Sequence, residues 1–447
     1  MMKKTLIKNA ILVNENKISQ KDLLIKGEYI YKIDDYIEEI NVEKIIDAKG
    51  LHLIPGWIDD QVHFREPGLV HKGNISSESK AAVAGGITSY IEMPNTIPQT
   101  ITEKALDEKI DIASKNSFAN YSFLFGGTNN NIDDIKSFDK KKAAGLKLFL
   151  GSSTGNMLVD DLDVLREIFL ATDLPIAVHC EDEDIIRENI KLYKKTYGKE
   201  IPIEKHPMIR SEKACYLSSK KAIALARETG ARLHVFHLST AIETKLFDNN
   251  IPLEEKKITS EVCVHHLWFS EKDYQDKGNF IKWNPSIKKD TDQLALWEAL
   301  NDDRIDILAT DHAPHLESEK KLDYLNCPSG GPMVQHALPA MLTAHKKGKI
   351  SLEKIVEKAC HNPAKLFKIK KRGFLREGYF ADLVLIDLEK KNKVLKDSLF
   401  YLCGWSPFEG TTFESSVVKT FINGKIVYDF GQIVSKPSGK RLEFDRN

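Results

Sequence analysis

The chain has 447 residues, with 65 Lys and Arg against 65 Asp and Glu and a formal net charge of zero. That balance argues against a nucleic-acid-binding or membrane-surface protein, which would carry a basic excess or stripe. The length suits one large domain plus a smaller one, and 42% hydrophobic residues is ordinary for a soluble globular chain.

The N-terminus begins with Met1, Met2, Lys3 and Lys4, but Lys8, Asn9 and Asn14 break up any apolar signal-peptide core. No later run approaches a membrane span. Six cysteines, at 180, 215, 263, 327, 360 and 403, form no Cys-x-x-Cys pair. Reduced thiols and a cytoplasmic location are the expectation.

Residues 4–50 alternate in short apolar runs separated by Asn and Gly, as a small β-sheet does. The same texture returns at residues 381–387 and 419–428, where Asn423-Gly424 is a hairpin turn signal. The two ends, 1–54 and 366–447, are expected to pair into one small β-sandwich module. Between them, in 55–365, strand-like runs fall at 53–58, 88–92, 121–125, 146–150, 175–178, 233–236, 258–262 and 305–310. Helix-like stretches at 76–84, 162–171, 211–229 and 293–300 intervene. Repeated β-α alternation with apolar strands predicts an α/β architecture, and eight units predict a closed (β/α)8 TIM-type barrel. An open doubly wound sheet is the alternative, but no Gly-x-Gly-x-x-Gly follows the first strand.

In such a barrel, polar groups for chemistry sit just past the C-terminal ends of the strands. Ligand-type residues follow the strands here. His63 and Arg65 come after the first, Glu92 to Asn95 after the second, and Lys147 lies in the fourth. His179 ends the fifth, His237 the sixth, His265 and His266 follow the seventh, and Asp311 and His315 follow the eighth. Any one alone reads as a hydrogen-bonded structural residue; packing explains the joint placement poorly. Alternation in 145–150 sends Leu146, Leu148 and Leu150 to one face and Lys147 to the other, into the barrel. There its amine either pairs with an acid such as Asp311 or is carboxylated to an anionic carbamate that bridges two cations. His179 and His237 suit zinc, and Asp311 could complete the coordination and shuttle a proton. Two cations about 3.5–4 Å apart would activate water against an amide-like carbon.

The runs Val62-His-Phe-Arg-Glu-Pro-Gly68, Glu92-Met-Pro-Asn-Thr96, Gly145-Leu-Lys-Leu-Phe149, Val178-His-Cys-Glu181, Phe236-His-Leu-Ser239, Lys282-Trp-Asn-Pro285 and Ala309-Thr-Asp-His-Ala-Pro-His315 together resemble the dihydroorotases of the amidohydrolase superfamily. The similarity covers essentially the whole chain. The resemblance implies a barrel with a β-module built from both termini, and Zn2+ as cofactor, one or two ions per subunit. His63 and Asp311 would hold one metal, His179 and His237 the other, and carboxylated Lys147 would bridge them. Some dihydroorotases bridge instead with an aspartate in the loop after the fourth strand, but loop 151–155 carries no acid. Arg65, Asn95 and His315 would grip a substrate carboxylate, Asn284 and the Gly330-Gly331 backbone would hold the ring, and Asp311 would be the catalytic general acid/base. The implied reaction interconverts (S)-dihydroorotate and N-carbamoyl-L-aspartate in pyrimidine synthesis.

One position departs from the pattern. Gln61 stands where the family reads the first histidine of His-x-His, and an amide oxygen is a poor zinc ligand. Gln61 is thus the weakest member of the metal set. Three outcomes follow: two metals with Gln61 near the shell, a firm second metal only, or a non-catalytic relative. Retention of Arg65, Asn95, Asp311 and His315 favours an active enzyme. The alternatives are a cyclic amidase of the hydantoinase, dihydropyrimidinase or allantoinase kind, and a non-catalytic subunit supporting a transcarbamoylase. The expected partner is a small-molecule substrate, with homo-oligomerisation open and neither nucleic acid nor membrane. His52, His206, His234, His265, His266, His336, His345 and His361 read as structural or exposed, His71 as adjacent to the site, and the polar run 317–326 as a loop beside it.

Overall fold

The computed structural model describes residues 3–151 and 157–446. Among these, eight strands form one parallel sheet in sequence order: Trp57–Val62, Ile87–Glu92, Asn120–Gly126, Gly145–Phe149, Ile176–His179, Leu233–Val235, Ile258–Cys263 and Ile307–Ala309. The ring closes where Val62 bridges His312 and the His63 N–H donates to the His312 carbonyl at 2.7 Å. Nearly every residue of these strands is buried, as a parallel sheet wrapped in helices requires. Helix Glu212–Thr229 illustrates the wrapping: Ala214, Ser218, Ala222 and Ala226 recur on its buried stripe. The Ser211 side chain caps it by accepting from the Ala214 N–H, and Gly230 ends it at φ +72°.

The two termini build a second, nine-stranded mixed sheet. His52–Pro55 lies at its centre, parallel to Lys4–Asn14 on one side and antiparallel to Leu383–Asp387 on the other. The hairpin predicted at Asn423-Gly424 joins Ser416–Ile422 to Lys425–Asp429, with both turn residues at positive φ, +49° and +76°. Strand alternation gives this sheet two apolar faces. Leu53, Leu383 and Leu385 join Ile7, Leu23, Ile25 and Phe421 in a cluster of their own, while Ile54, Val384 and Ile386 join the barrel's core. The expected β-module from both termini is present, as one continuous nine-stranded sheet enclosing its own apolar cluster.

The run 53–58, predicted as the first barrel strand, is two strands in two different sheets. His52–Pro55 belongs to the terminal sheet and Trp57–Val62 to the barrel. The switch occurs at Gly56, where a Cβ would lie 1.9 Å from Thr88 Oγ1. Its N–H donates to the Asp382 carbonyl at 2.9 Å, tying the switch to the C-terminal half. An unbroken apolar run carries no periodicity that would reveal such a change of sheet. Among the described residues, no helix is long and apolar enough to cross a membrane.

Candidate active site

Ten side chains were singled out from the sequence, and nine of them line one pocket at the C-terminal mouth of the barrel: Gln61, His63, Arg65, Asn95, Lys147, His179, His237, Asn284 and Asp311. His315 sits directly behind, with Arg65 Nη2 donating to its Nε2 at 2.9 Å. They come from seven of the strand ends, so closure of the barrel is what brings them together.

Three of these residues have backbones in the left-handed region: Arg65 at φ +70°, His237 at +41° and Asp311 at +45°. Each such conformation in a non-glycine residue costs about 1–3 kcal/mol and persists only where its surroundings enforce it. The enforcing contacts are visible. Arg65 Nε donates to the Pro314 carbonyl at 3.0 Å. The His237 N–H donates to Glu261 Oε1 at 3.2 Å. Ahead of Asp311, Asp59 accepts from both the Thr310 N–H (3.1 Å) and its hydroxyl (2.6 Å).

The pocket's donors converge in two pairs. His63 Nε2 lies 3.3 Å from Asp311 Oδ1, and His179 Nδ1 lies 2.9 Å from His237 Nε2. Each pair is oriented from behind. His63 Nδ1 lies 2.9 Å from Asn95 Oδ1, which fixes the tautomer that leaves Nε2 free toward Asp311. His179 Nε2 lies 3.0 Å from Glu181 Oε2, and Glu181 is also ion-paired with Arg210. Burial opposes ionisation of Glu181, but the Arg210 charge and the His179 bond bring it down to about 2. Burial depresses all three imidazoles below the usual histidine range, which favours the neutral form a metal needs.

Lys147 sits among these pairs, 1% exposed, with no hydrogen-bond partner for Nζ and the Phe236 ring centroid 4.0 Å away. Burial lowers its amine to about 7, with Glu261 and Asp311 pulling the other way. Burial likewise pushes Asp311 up to about 7, with Lys147, His179 and Arg65 opposing. The direct Lys147–Asp311 bond considered from the sequence is not made, since Nζ has no hydrogen-bond partner. An orphaned buried amine between two half-complete donor pairs suits conversion to a two-oxygen carbamate. With N and O donors only, the set also suits zinc. The loop considered as an alternative source of a bridging acid lies at 152–155 outside the described residues.

Gln61 is 2% exposed and lines the pocket, with its Oε1 accepting from Cys263 Sγ at 3.4 Å. Arg65 is buried too, and burial lowers its guanidinium to about 10. Two of its five donors are committed to Pro314 and His315, which leaves three for the pocket. Asn284 presents a buried Oδ1 that has no hydrogen-bond partner. Gly330 lines the pocket at φ +121°, where a Cβ would lie 2.7 Å from the Ala313 carbonyl. Its own N–H donates to the Lys282 carbonyl at 2.8 Å and its carbonyl accepts from Lys320 Nζ at 2.8 Å. The expected Gly330-Gly331 backbone grip therefore reduces to close approach at Gly330, and Gly331 packs against Trp283 instead.

The sequence marks Glu92 only as a polar residue after the second strand and does not single out Lys72 at all. Glu92, ion-paired with Lys109 at 3.1 Å, accepts from the Phe64 N–H and so anchors the segment between His63 and Arg65. Lys72 Nζ lies 3.1 Å from His315 Nδ1 and 2.7 Å from Glu319. His71, expected beside the site, is exposed. The run expected as a polar loop contains helix Glu317–Lys320, and buried Lys320 also donates to the Pro328 carbonyl at 2.9 Å. His265 stacks on Trp283 at 4.5 Å, His266 bonds the Pro285 carbonyl, and His206 the Trp283 carbonyl. His234, also read as structural, is buried and meets two carboxylates inside the barrel.

The amidohydrolase family pattern matches residues 52–427. Among curated proteins, the chain is 33% identical to the dihydroorotase of Halobacterium salinarum over 94% of this chain and 96% of that one. It is 34% identical to the dihydroorotase of Methanosarcina acetivorans (98% and 97%) and 31% identical to that of Pyrococcus furiosus (99% and 94%). Among solved structures, the L-hydantoinase (dihydropyrimidinase) from Arthrobacter aurescens superposes with a TM-score of 0.94 at 29% identity, covering 99% of this chain and 100% of that one. The dihydropyrimidinase from Brevibacillus agri shares the fold at TM-score 0.89 and 24% identity, covering 99% and 100%. The chain belongs to the amidohydrolase family and, within it, to the dihydroorotases.

Proposed function

We propose that this protein is a zinc-dependent dihydroorotase that interconverts (S)-dihydroorotate and N-carbamoyl-L-aspartate for pyrimidine synthesis in the cytoplasm. One observation carries the reading: a buried guanidinium, Arg65, faces the pocket that also holds the paired donors and Lys147. A neutral hydantoin offers nothing for that charge to bind, whereas a ring carboxylate can take a bidentate fork. Arg65 grips the carboxylate, His315 holds Arg65 in place, and Asn284 Oδ1 accepts from a ring N–H. Asn95 serves the site by orienting His63.

His179 and His237 would hold one ion, and His63 and Asp311 the other. Lys147, once its nitrogen has added CO2 and released one proton, would supply the anionic carbamate shared by the two donor pairs. The metal supplies Lewis-acid polarisation of the ring carbonyl and a lowered pKa for water. Asp311 takes the proton from the attacking water and returns it to the departing ring nitrogen as the C–N bond breaks. With Gln61 in place of a histidine, the His63 side would hold an ion more weakly than the His179 side. The six cysteines, all buried and unpaired in disulfides, suit a reducing compartment.

The deciding experiment assays the full-length protein, loaded with zinc and bicarbonate, on dihydroorotate, hydantoin, dihydrouracil and allantoin. Dihydroorotate should be preferred by at least about 100-fold in kcat/KM. Preference for a neutral ring would replace this reading with the hydantoinase one, which the 0.94 structural match keeps in view. Inactivity on all four with no bound metal would indicate a non-catalytic subunit.

A further inference from the structure

Below the pocket, the barrel interior holds a second group of ligand-type side chains. Asp60 from the first strand, His234 from the sixth and Glu261 from the seventh are each 0% exposed, and none lines the pocket. One ligand atom from each lies within 4.8 Å of the other two, and among the described residues this is the trio of His, Cys, Asp or Glu that meets so closely. We propose that Asp60, His234 and Glu261 form a further divalent-cation site, of the zinc class, inside the barrel and separate from the catalytic pocket.

Three features support it. His234 Nε2 lies 3.3 Å from both Asp60 Oδ2 and Glu261 Oε2. An imidazolium bonded directly to a carboxylate would close to about 2.7–2.9 Å. Ligands on a tetrahedral ion with bonds of about 2.0–2.1 Å stand roughly 3.3–3.4 Å apart. Both 3.3 Å distances match that spacing, and the one to Glu261 Oε2 is also within hydrogen-bond reach.

The tautomer is also set. His234 Nδ1 lies 2.8 Å from Thr259 Oγ1, whose own hydroxyl donates to the Leu233 carbonyl at 3.2 Å. Thr259 must therefore accept, Nδ1 carries the hydrogen, and Nε2 faces the carboxylates. An oriented histidine of this kind is the usual arrangement behind a metal ligand. Finally, apart from the 3.3 Å approach of His234 Nε2, neither oxygen of Asp60 has a partner. A fully buried carboxylate without one is costly unless a cation compensates it.

The competing state is a protonated His234 held between the two acids, whose bonds outweigh burial and raise it to about 9. In that state burial and the Asp60 charge push the Glu261 carboxyl well above the usual range, so that it keeps its proton and the trio is neutral; a divalent cation beside a neutral imidazole lets both carboxylates ionise. Glu261 also couples the site to the pocket, because its Oε1 accepts from the His237 N–H.

The test counts metal without relying on activity or on the identity of the substrate. Full-length protein carrying His63→Ala, His179→Ala and His237→Ala is expressed with zinc, desalted against EDTA and measured by elemental mass spectrometry. It should retain about one zinc per chain, and adding Asp60→Asn should remove it. Cobalt substituted into the same triple variant should give tetrahedral d–d absorption that Asp60→Asn abolishes. The cobalt spectrum of the triple variant decides the matter if the fourfold variant fails to fold. A folded triple variant without metal, or one whose metal survives Asp60→Asn, overturns the proposal. Failure of the dihydroorotase assay leaves it standing.

Discussion

The barrel strands and the central strands of the terminal sheet are buried to a similar degree, but they bury different chemistry. Strand Trp57–Val62 hides Asp59, Asp60 and Gln61, and its partners across the barrel add Lys147, His234 and Glu261. Strand Leu383–Asp387 hides Leu383, Val384, Leu385 and Ile386. A polar group inside the barrel must find a partner in a fixed place, so each fixes the height and rotation of its strand. An apolar sheet asks only for volume and pattern, and tolerates changes that conserve both. The barrel is where this chain spends stability on function, and the terminal sheet is where it recovers it.

Lys147→Ala tests that division most severely. It should lower kcat by roughly 1,000-fold, about 4 kcal/mol of barrier, because both donor pairs lose their shared group. In the metal-free protein, circular dichroism and the thermal midpoint should stay close to wild type, since the removed amine has no hydrogen-bond partner to lose. Leu385→Ala should do the reverse: a loss of about 2–4 kcal/mol in denaturant unfolding with kcat/KM unchanged. If Leu385→Ala impairs catalysis in the folded protein, the terminal sheet is more than a support.

Arg65→Lys follows, with a rise of roughly 10- to 100-fold in the KM for dihydroorotate, since a point charge replaces a planar fork held by Pro314 and His315. Little change with a carboxylate-free analogue would localise the effect to the carboxylate. Gln61→His should tighten metal binding on the His63 side by about 10-fold in competition with a chelator. Unchanged affinity would mean that the Gln61 position is not a ligand site in this chain.

The smallest expected effect lies on the surface. Glu15, in the turn after the first N-terminal strand, pairs with Arg376, and that hydrogen bond holds its carboxyl below the usual range. Its folded pKa is lowered, so its contribution is present above the unfolded carboxylate pKa near 4.5 and is lost as pH falls through the folded value. Both partners are 42% exposed, so solvent screening limits the effect to about 0.2–1 kcal/mol. Urea unfolding of Glu15→Gln should differ from wild type at pH 7, and the difference should shrink as pH falls below 4.5. A difference that does not shrink at all on acidification would show that the pair is not its source.

How much was readable follows from which interactions are local. The strand ends that carry His63, Lys147, His179, His237 and Asp311 were visible because a strand and the residue after it are neighbours in sequence. Alternation alone sent Lys147 inward. The hairpin at Asn423-Gly424 was visible because its positive φ values are a property of two adjacent residues. By contrast, run 53–58 looked like one strand, because the collision that makes Gly56 necessary involves Thr88, thirty-two positions away. His234 looked like an ordinary core histidine for the same reason.

The sequence by itself determined the eight β-α units, the terminal β-pattern, the resemblance to dihydroorotases and the identity of the pocket's side chains. Tertiary structure alone decided that Asn95 orients His63 and that Gly330 has no free N–H. It also decided that Asp60, His234 and Glu261 meet at all. These three stand on the first, sixth and seventh strands, and only closure of the ring between the first and eighth brings their side chains within one ion's reach. Local propensity specifies strands. The charges they bring together depend on how the sheet closes, which no neighbouring residue encodes.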